Sequence, residues 1–293
     1  MRAVVTALLM SAALMLSLPL LAQQQGPLTP PPQPAAAPAS PPPPPPRKAP
    51  KPEHYTSPIS KVPPSIPADQ IIREFAAHEA EFKQERDNFT YEQTFVVQTI
   101  DDQGQVDGEY RMTSDIMFTP DGKRFERITD APIPTLKRIS LSEQDLDDLR
   151  DIQPFVLTTK ELPQYNVTYV GRQKLDELNT YVFDVGPKKI EKHHRYFQGR
   201  IWVDDGDLEI VKTDGKAVPD IRKRNEQNLF PRFETYRQNI EGHYWFPTYT
   251  HADDVLHFST GDVHIRMTVL YTHYKRFRVS VKILHPSSQQ PHK

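Results

Sequence analysis

The sequence predicts an α+β fold, a strongly bent antiparallel sheet closing over a helix. Three observations carry this. Asp205-Gly206 separates two short alternating runs, and Asp-Gly in that setting is a strong hairpin signal because Gly accepts the positive φ of a tight turn. Residues 69–86 carry apolar positions at spacings of three and four, the mark of an amphipathic helix. From Phe89 onward the period changes to two, through close to ten segments. That exceeds what a flat open sheet usually carries without curling.

The elements before the domain come first. Residues 1–22 read as a secretory leader. Arg2 supplies the positive start, Val4 to Leu21 is almost wholly apolar, and Ala22 precedes Gln23-Gln24-Gln25 as a small residue at a cleavage point. The expected location is the periplasm, with inner-membrane anchoring as the alternative if the leader is retained. No Cys follows the apolar run, and the chain has none anywhere. A lipid-anchored Cys, disulfides, thiolate metal sites and Cys nucleophiles are therefore excluded. Residues 23–67 hold more than half of the prolines, including the run Pro41 to Pro46. Proline lacks a backbone donor and favours extended polyproline II, so this segment reads as a disordered linker.

The folded domain is placed at residues 68–285, with a disordered tail at 286–293. In the first helix Ile71, Ile72, Phe75, Ala76, Glu79 and Phe82 form the stripe, beside Arg73, Glu74, Lys83 and Glu85. Phe89, Tyr91, Phe95 and Val97 then share one strand face, and Tyr110, Met112, Ile116 and Phe118 another. Asp121-Gly122 marks a second hairpin, with Lys123 to Ile128 returning. Ser142-x-x-Asp145 opens a short second helix, since Ser accepts the exposed amide donors at a helix start. Further strands are expected at 155–158, 165–170 and 180–185. Beyond the Trp202 hairpin, strands are expected at 233–240, 244–251, 263–271 and 277–284. The last two alternate most clearly, with Val263, Ile265, Met267, Val269 and Tyr271 on one side and His264, Arg266, Thr268 and Leu270 on the other. One wet and one dry face is what an antiparallel sheet covered on one side requires.

The stretch from Val167 to Pro219 has a wording of its own. Val170-Gly171-Arg172 is followed by Thr180-Tyr181-Val182-Phe183, by Pro187-Lys188, and by the hairpin YFQGRIWVDDGDLEIVKTDGK from Tyr196. This resembles the outer-membrane lipoprotein carrier and sorting superfamily of LolA-like and LolB-like periplasmic proteins. The resemblance implies a half barrel whose helices cover the concave face, above an apolar cavity for acyl chains. Phe95, Met112, Phe118, Tyr181 and Phe183 are the candidate lipid-contacting residues, in positions that plain core would also occupy. The basic run Ile221-Arg222-Lys223-Arg224 and Lys275-Arg276-x-Arg278 offer Arg222, Arg224 and Arg278 as a rim for headgroups or a partner. Phe230, Phe233 and Tyr236 interleave with Arg232 and Arg237 in a pattern suited to a lipid interface.

The remaining patterns argue against other chemistry. Net charge is −2, from 36 basic and 38 acidic residues, which gives no general nucleic-acid surface. His251 and His257 in HADDVLH lie too far apart on one strand to share an ion, and would need a turn at Asp253-Asp254. Asp204, Asp205 and Asp207 sit in a hairpin too tight to wrap Ca²⁺. No nucleophile elbow, phosphate loop or His-Glu-x-x-His is present. The expectation is a carrier of acyl lipid or lipoprotein, without catalytic residues, cofactor or metal and with transient membrane-surface contact. The alternatives are a sensor or scaffold that binds an envelope protein and, behind it, a hydrolase.

Overall fold

The computed structural model describes residues 56–119, 121–151, 154–220, 222–223, 226–227, 232–242 and 244–276. The leader, most of the linker, the strand expected at 277–284, the tail, Phe230, Arg224 and Arg278 lie outside them. For Arg222 the description covers the backbone alone.

A long helix, α1 (Ala68–Arg86), leads into β1 (Phe89–Ile100), β2 (Val106–Phe118) and β3 (Arg124–Asp130). Helix α2 (Glu143–Asp151) and a 3₁₀ turn (Leu162–Gln164) carry the chain across to β4 (Tyr165–Leu175). A meander follows through β5 (Leu178–Pro187), β6 (Tyr196–Asp204) and β7 (Ile210–Val218). After the short pair β8 (Arg222–Lys223) and β9 (Glu226–Gln227) come β10 (Phe233–Ile240), β11 (Tyr244–Phe258) and β12 (Gly261–Arg276). The ten long strands form one curved, unclosed antiparallel sheet in the order β3-β2-β1-β12-β11-β10-β7-β6-β5-β4. Chain-distant β1 and β12 pair within it over eleven partners.

The apolar stripe of α1 packs on one sheet face. Ile71, Phe75, Ala76, Glu79 and Phe82 are all buried. Phe75 meets Phe183 edge-on at 5.9 Å, and Phe82 meets Phe246 at 5.1 Å. Period-two alternation then sorts the strands. Ile201 and Val203 join the main core beneath α1, while Trp202 and Val211 join a second cluster on the opposite face with Leu175, Val182 and Tyr236. Helix α2 starts as expected: Ser142 Oγ accepts from Asp145 N at 3.2 Å, and Asp145 Oδ2 accepts from Ser142 N at 2.8 Å. That reciprocal box satisfies donors the helix itself leaves open.

Four expectations are corrected. Residues 155–158 are not a strand; they run as an irregular segment, anchored where Thr159 N donates to Ala76 O at 3.1 Å. The loop between β6 and β7 is wider than a two-residue turn, closed by Asp204 N donating to Glu209 O. Its left-handed residue is Leu208 (φ 55°) and not Gly206; Asp204 Oδ2 ties the loop by accepting from Gly206 N and Asp207 N. The other hairpin holds its sequence reading, with Gly122 at φ 76°. The strand expected at 244–251 runs on as β11 to Phe258, so HADDVLH lies in it unbroken, with no turn at Asp253-Asp254. Last, residues 56–66, counted above with the linker, lie against the domain. Ser60 exchanges backbone hydrogen bonds with Arg172 at 2.8 Å, Ser57 N donates to Lys174 O, and the Tyr169 hydroxyl donates to Val62 O. Gly171 is required there, since a Cβ would lie 2.3 Å from Ser60 O.

Candidate functional site

Two features stand out beneath α1. The first is a buried ion pair. Arg237, on β10, holds Glu79, on α1, through both carboxylate oxygens at 2.7 and 3.2 Å, with side chains 1% and 0% exposed. The same guanidinium donates to Phe155 O, which fixes the irregular segment after α2. Arg237 therefore belongs to the core, and so does Phe233 beside it. Tyr236 faces the opposite side with Trp202, and Lys212 Nζ sits 4.8 and 4.7 Å from those two rings. Arg232 pairs with Asp214 at 2.6 Å. The lipid interface expected of these four residues is thus divided between two faces of the sheet.

The second feature is a cavity of about 490 Å³ on the α1 face. Its walls come from the end of α1 (Lys83, Arg86), from β1 to β3 (Tyr91, Phe118, Arg124), from α2 (Arg150) and from Phe155. The starts of β4 and β6 add Tyr165, Tyr196 and Phe197, and β12 adds Tyr271 and Tyr274. Eight aromatic rings line it, and Phe155 stacks on Phe197 at 4.3 Å. This volume lies in the range of small-molecule sites.

Burial pushes the Tyr165 hydroxyl up to about 12, and raises Tyr91, Tyr271 and Tyr274 against the opposing charge of nearby arginines in the last three. A buried neutral phenol is a hydrogen-bond donor. Burial also raises Asp87, despite Arg86 and Lys83. Glu126 goes the other way: burial works against its charge, but hydrogen bonding and charge from Arg124, with Arg150 behind, hold the carboxyl below its ordinary range.

Of the five candidate lipid contacts, Phe118 alone lines this cavity, 8% exposed with Arg86 over its ring at 5.0 Å. Phe95, Tyr181 and Phe183 lie in the packed core beneath α1, and Met112 is half-buried on β2 below Tyr110. The basic lining of Lys83, Arg86, Arg124, Arg150 and Arg195 was not anticipated. Its one sequence signal is weak: Arg124 and Glu126 alternate with Phe125 and Arg127, so they share a face of β3. No group of three or more His, Asp or Glu converges as a metal set among the described residues. Nor is any described helix long and apolar enough to cross a membrane.

No protein-family model and no curated protein matches the chain. Among solved structures it is similar to a DUF1329 family protein from Desulfovibrio piger, at 15% identity and TM-score 0.38, over 70% of this chain and 92% of that one. It is also similar to MucB in complex with MucA(peri), at 10% identity and TM-score 0.21, over 70% and 94%. A third likeness, to the Pseudomonas aeruginosa MucA/MucB complex, has 10% identity and TM-score 0.19, over 69% and 99%. Likenesses this distant leave the chemistry of the cavity to its own residues.

Proposed function

We propose that this chain is a non-catalytic binding protein of the bacterial envelope that takes the acyl chain of a lipid or lipoprotein into the cavity beneath α1. The supporting observation is the cavity itself, a partly open space of about 490 Å³ whose mixed polar and apolar lining includes eight aromatic rings. Each methylene moved there from water contributes ~0.8 kcal/mol, so one chain supplies affinity without a reactive group. Most of the α1 face is filled by core side chains such as Phe75, Phe95 and Phe183. The capacity is therefore one short chain or the end of a long one, in place of a continuous tunnel.

Native mass spectrometry of the full chain after exposure to envelope lipid extract tests this. A lipid adduct is expected. Its absence, together with failure of a fluorescent fatty acid to bind at high micromolar concentration, refutes the carrier reading. One observation favours a protein-binding scaffold instead: Phe125 and Ile128 on edge strand β3, and Ile133 beyond it, are 51%, 57% and 91% exposed. An extended peptide adds to such an edge through backbone hydrogen bonds.

A further inference from the structure

The cavity carries more positive charge than its aromatic walls need. We infer that it contains an anion subsite, formed by Arg86, Arg124 and Arg150, for the carboxylate or phosphate end of a single-chain amphiphile; this rests on the acyl-binding reading above.

Five cationic side chains line the cavity against one carboxylate, Glu161. Two of the five are already closely paired. Lys83 pairs with Glu161 at 2.9 Å. Arg195 holds both oxygens of Asp148 and also donates to Pro219 O. Of the other three, Arg124 and Arg150 each have a close acid, and Arg86 has only a more distant one. Arg124 Nη1 lies 2.8 Å from Glu126 Oε2, and Arg150 Nε lies 3.8 Å from that same oxygen, so two guanidiniums converge on one acid. Arg150 has a second partner, Asp147, at 2.6 Å, whose side chain is 47% exposed.

Arg86 is the least matched. Its nearest acid, Asp87, stands 3.6 Å away, beyond hydrogen-bond length. Its Nε is buried with no hydrogen-bond partner. The Tyr91 hydroxyl has Arg124 and Arg86 as its main charged neighbours. The subsite thus offers the guanidinium fork of Arg86, its Nε without a partner, beside a neutral phenol donor and the added positive charge of Arg124 and Arg150, whose own forks donate to Glu126, Gln93 and Asp147. Carboxylates and phosphates are the groups that accept from such forks in pairs. A half-buried cation whose counter-charge stands off at 3.6 Å is only partly compensated, and a ligand anion offsets the remaining desolvation cost. The tail would then lie along Phe155, Phe197, Tyr271 and Tyr274, which line the same cavity.

The test is competition against a fluorescent fatty-acid probe on the full chain, with dodecanoate, dodecyl phosphate, dodecanol and dodecyltrimethylammonium. At least one anion is expected to bind about tenfold or more tighter than dodecanol, the worth of a charged hydrogen bond. Dodecyltrimethylammonium should bind weakest. The order of the two anions assigns the headgroup class. Arg86→Gln and Arg124→Gln are each expected to erase most of the anion preference while dodecanol affinity holds. If either variant fails to fold by circular dichroism, Arg150→Gln and the fall of wild-type preference with added salt serve in its place. Dodecanol binding as well as both anions, or a preference untouched in the variants, overturns the subsite and leaves acyl binding standing. Failure of all four to bind overturns both.

Discussion

The ion pair between Glu79 and Arg237 sets a demanding test of how α1 is held. Arg237 spends its donors on both oxygens of Glu79, on Phe155 O and, at 3.4 Å, on Ile210 O. Replacing Glu79 with Leu leaves a guanidinium that is 1% exposed without its main counter-charge. Breaking a buried pair from one side costs ~3–5 kcal/mol. Arg237→Met should fall at the upper end of that range, because Glu209 also feels Arg237 and would lose it together with Glu79. The double variant Glu79→Leu, Arg237→Met removes both charges. It is expected within ~1 kcal/mol of wild type, since apolar replacements of a buried pair are often neutral or stabilising. Urea denaturation at constant slope gives each value, and the four proteins close a double-mutant cycle. Either single variant losing less than ~1 kcal/mol would refute the reasoning, as would strictly additive losses, because both contradict a desolvated, mutually dependent pair.

Three further outcomes are expected. The Glu209 carboxyl is pushed up to about 7, first by burial and then by Glu79; a raised acid favours the folded state below its unfolded value near 4.5 and loses that contribution as pH rises through 7. Glu209→Gln should therefore gain ~1–2 kcal/mol at pH 8 after solvent screening, and nothing at pH 4.5; equal effects at both would reject the assignment. Ser142→Ala removes the reciprocal cap of α2 and should cost ~1 kcal/mol in urea. Gly171→Ala drives a Cβ into Ser60 O and should accelerate hydrogen exchange at Ser57 and Ser60 well before the rest of the sheet responds.

Periodicity made the scaffold legible. The stripe from Ile71 to Phe82 located α1 to within a residue of its observed start, and alternation sorted Ile201 from Trp202 onto opposite faces. Four-residue apolar runs were less informative. Phe155 to Thr158 has strand composition, yet its backbone serves Arg237 and its one ring, Phe155, lines the cavity. Glu79 sat in the helical stripe as an apparent polar interruption, while its partner lay 158 positions away on β10. The cavity was illegible for the same reason. Arg86, Arg124 and Arg150 are ordinary charged residues until β1, β2 and β3 curl toward the starts of β4 and β6.

The pairing of Ser57 and Ser60 with β4 has a mechanical consequence. A chain segment that joins a sheet by a few backbone bonds is the first link to bear tension applied upstream of it. Pulling on the proline-rich stretch would load the bonds to Lys174 and Arg172 before it reached α1 or the ion pair beneath it. Those short contacts would act as a fuse, releasing slack while the cavity on the α1 face stayed intact.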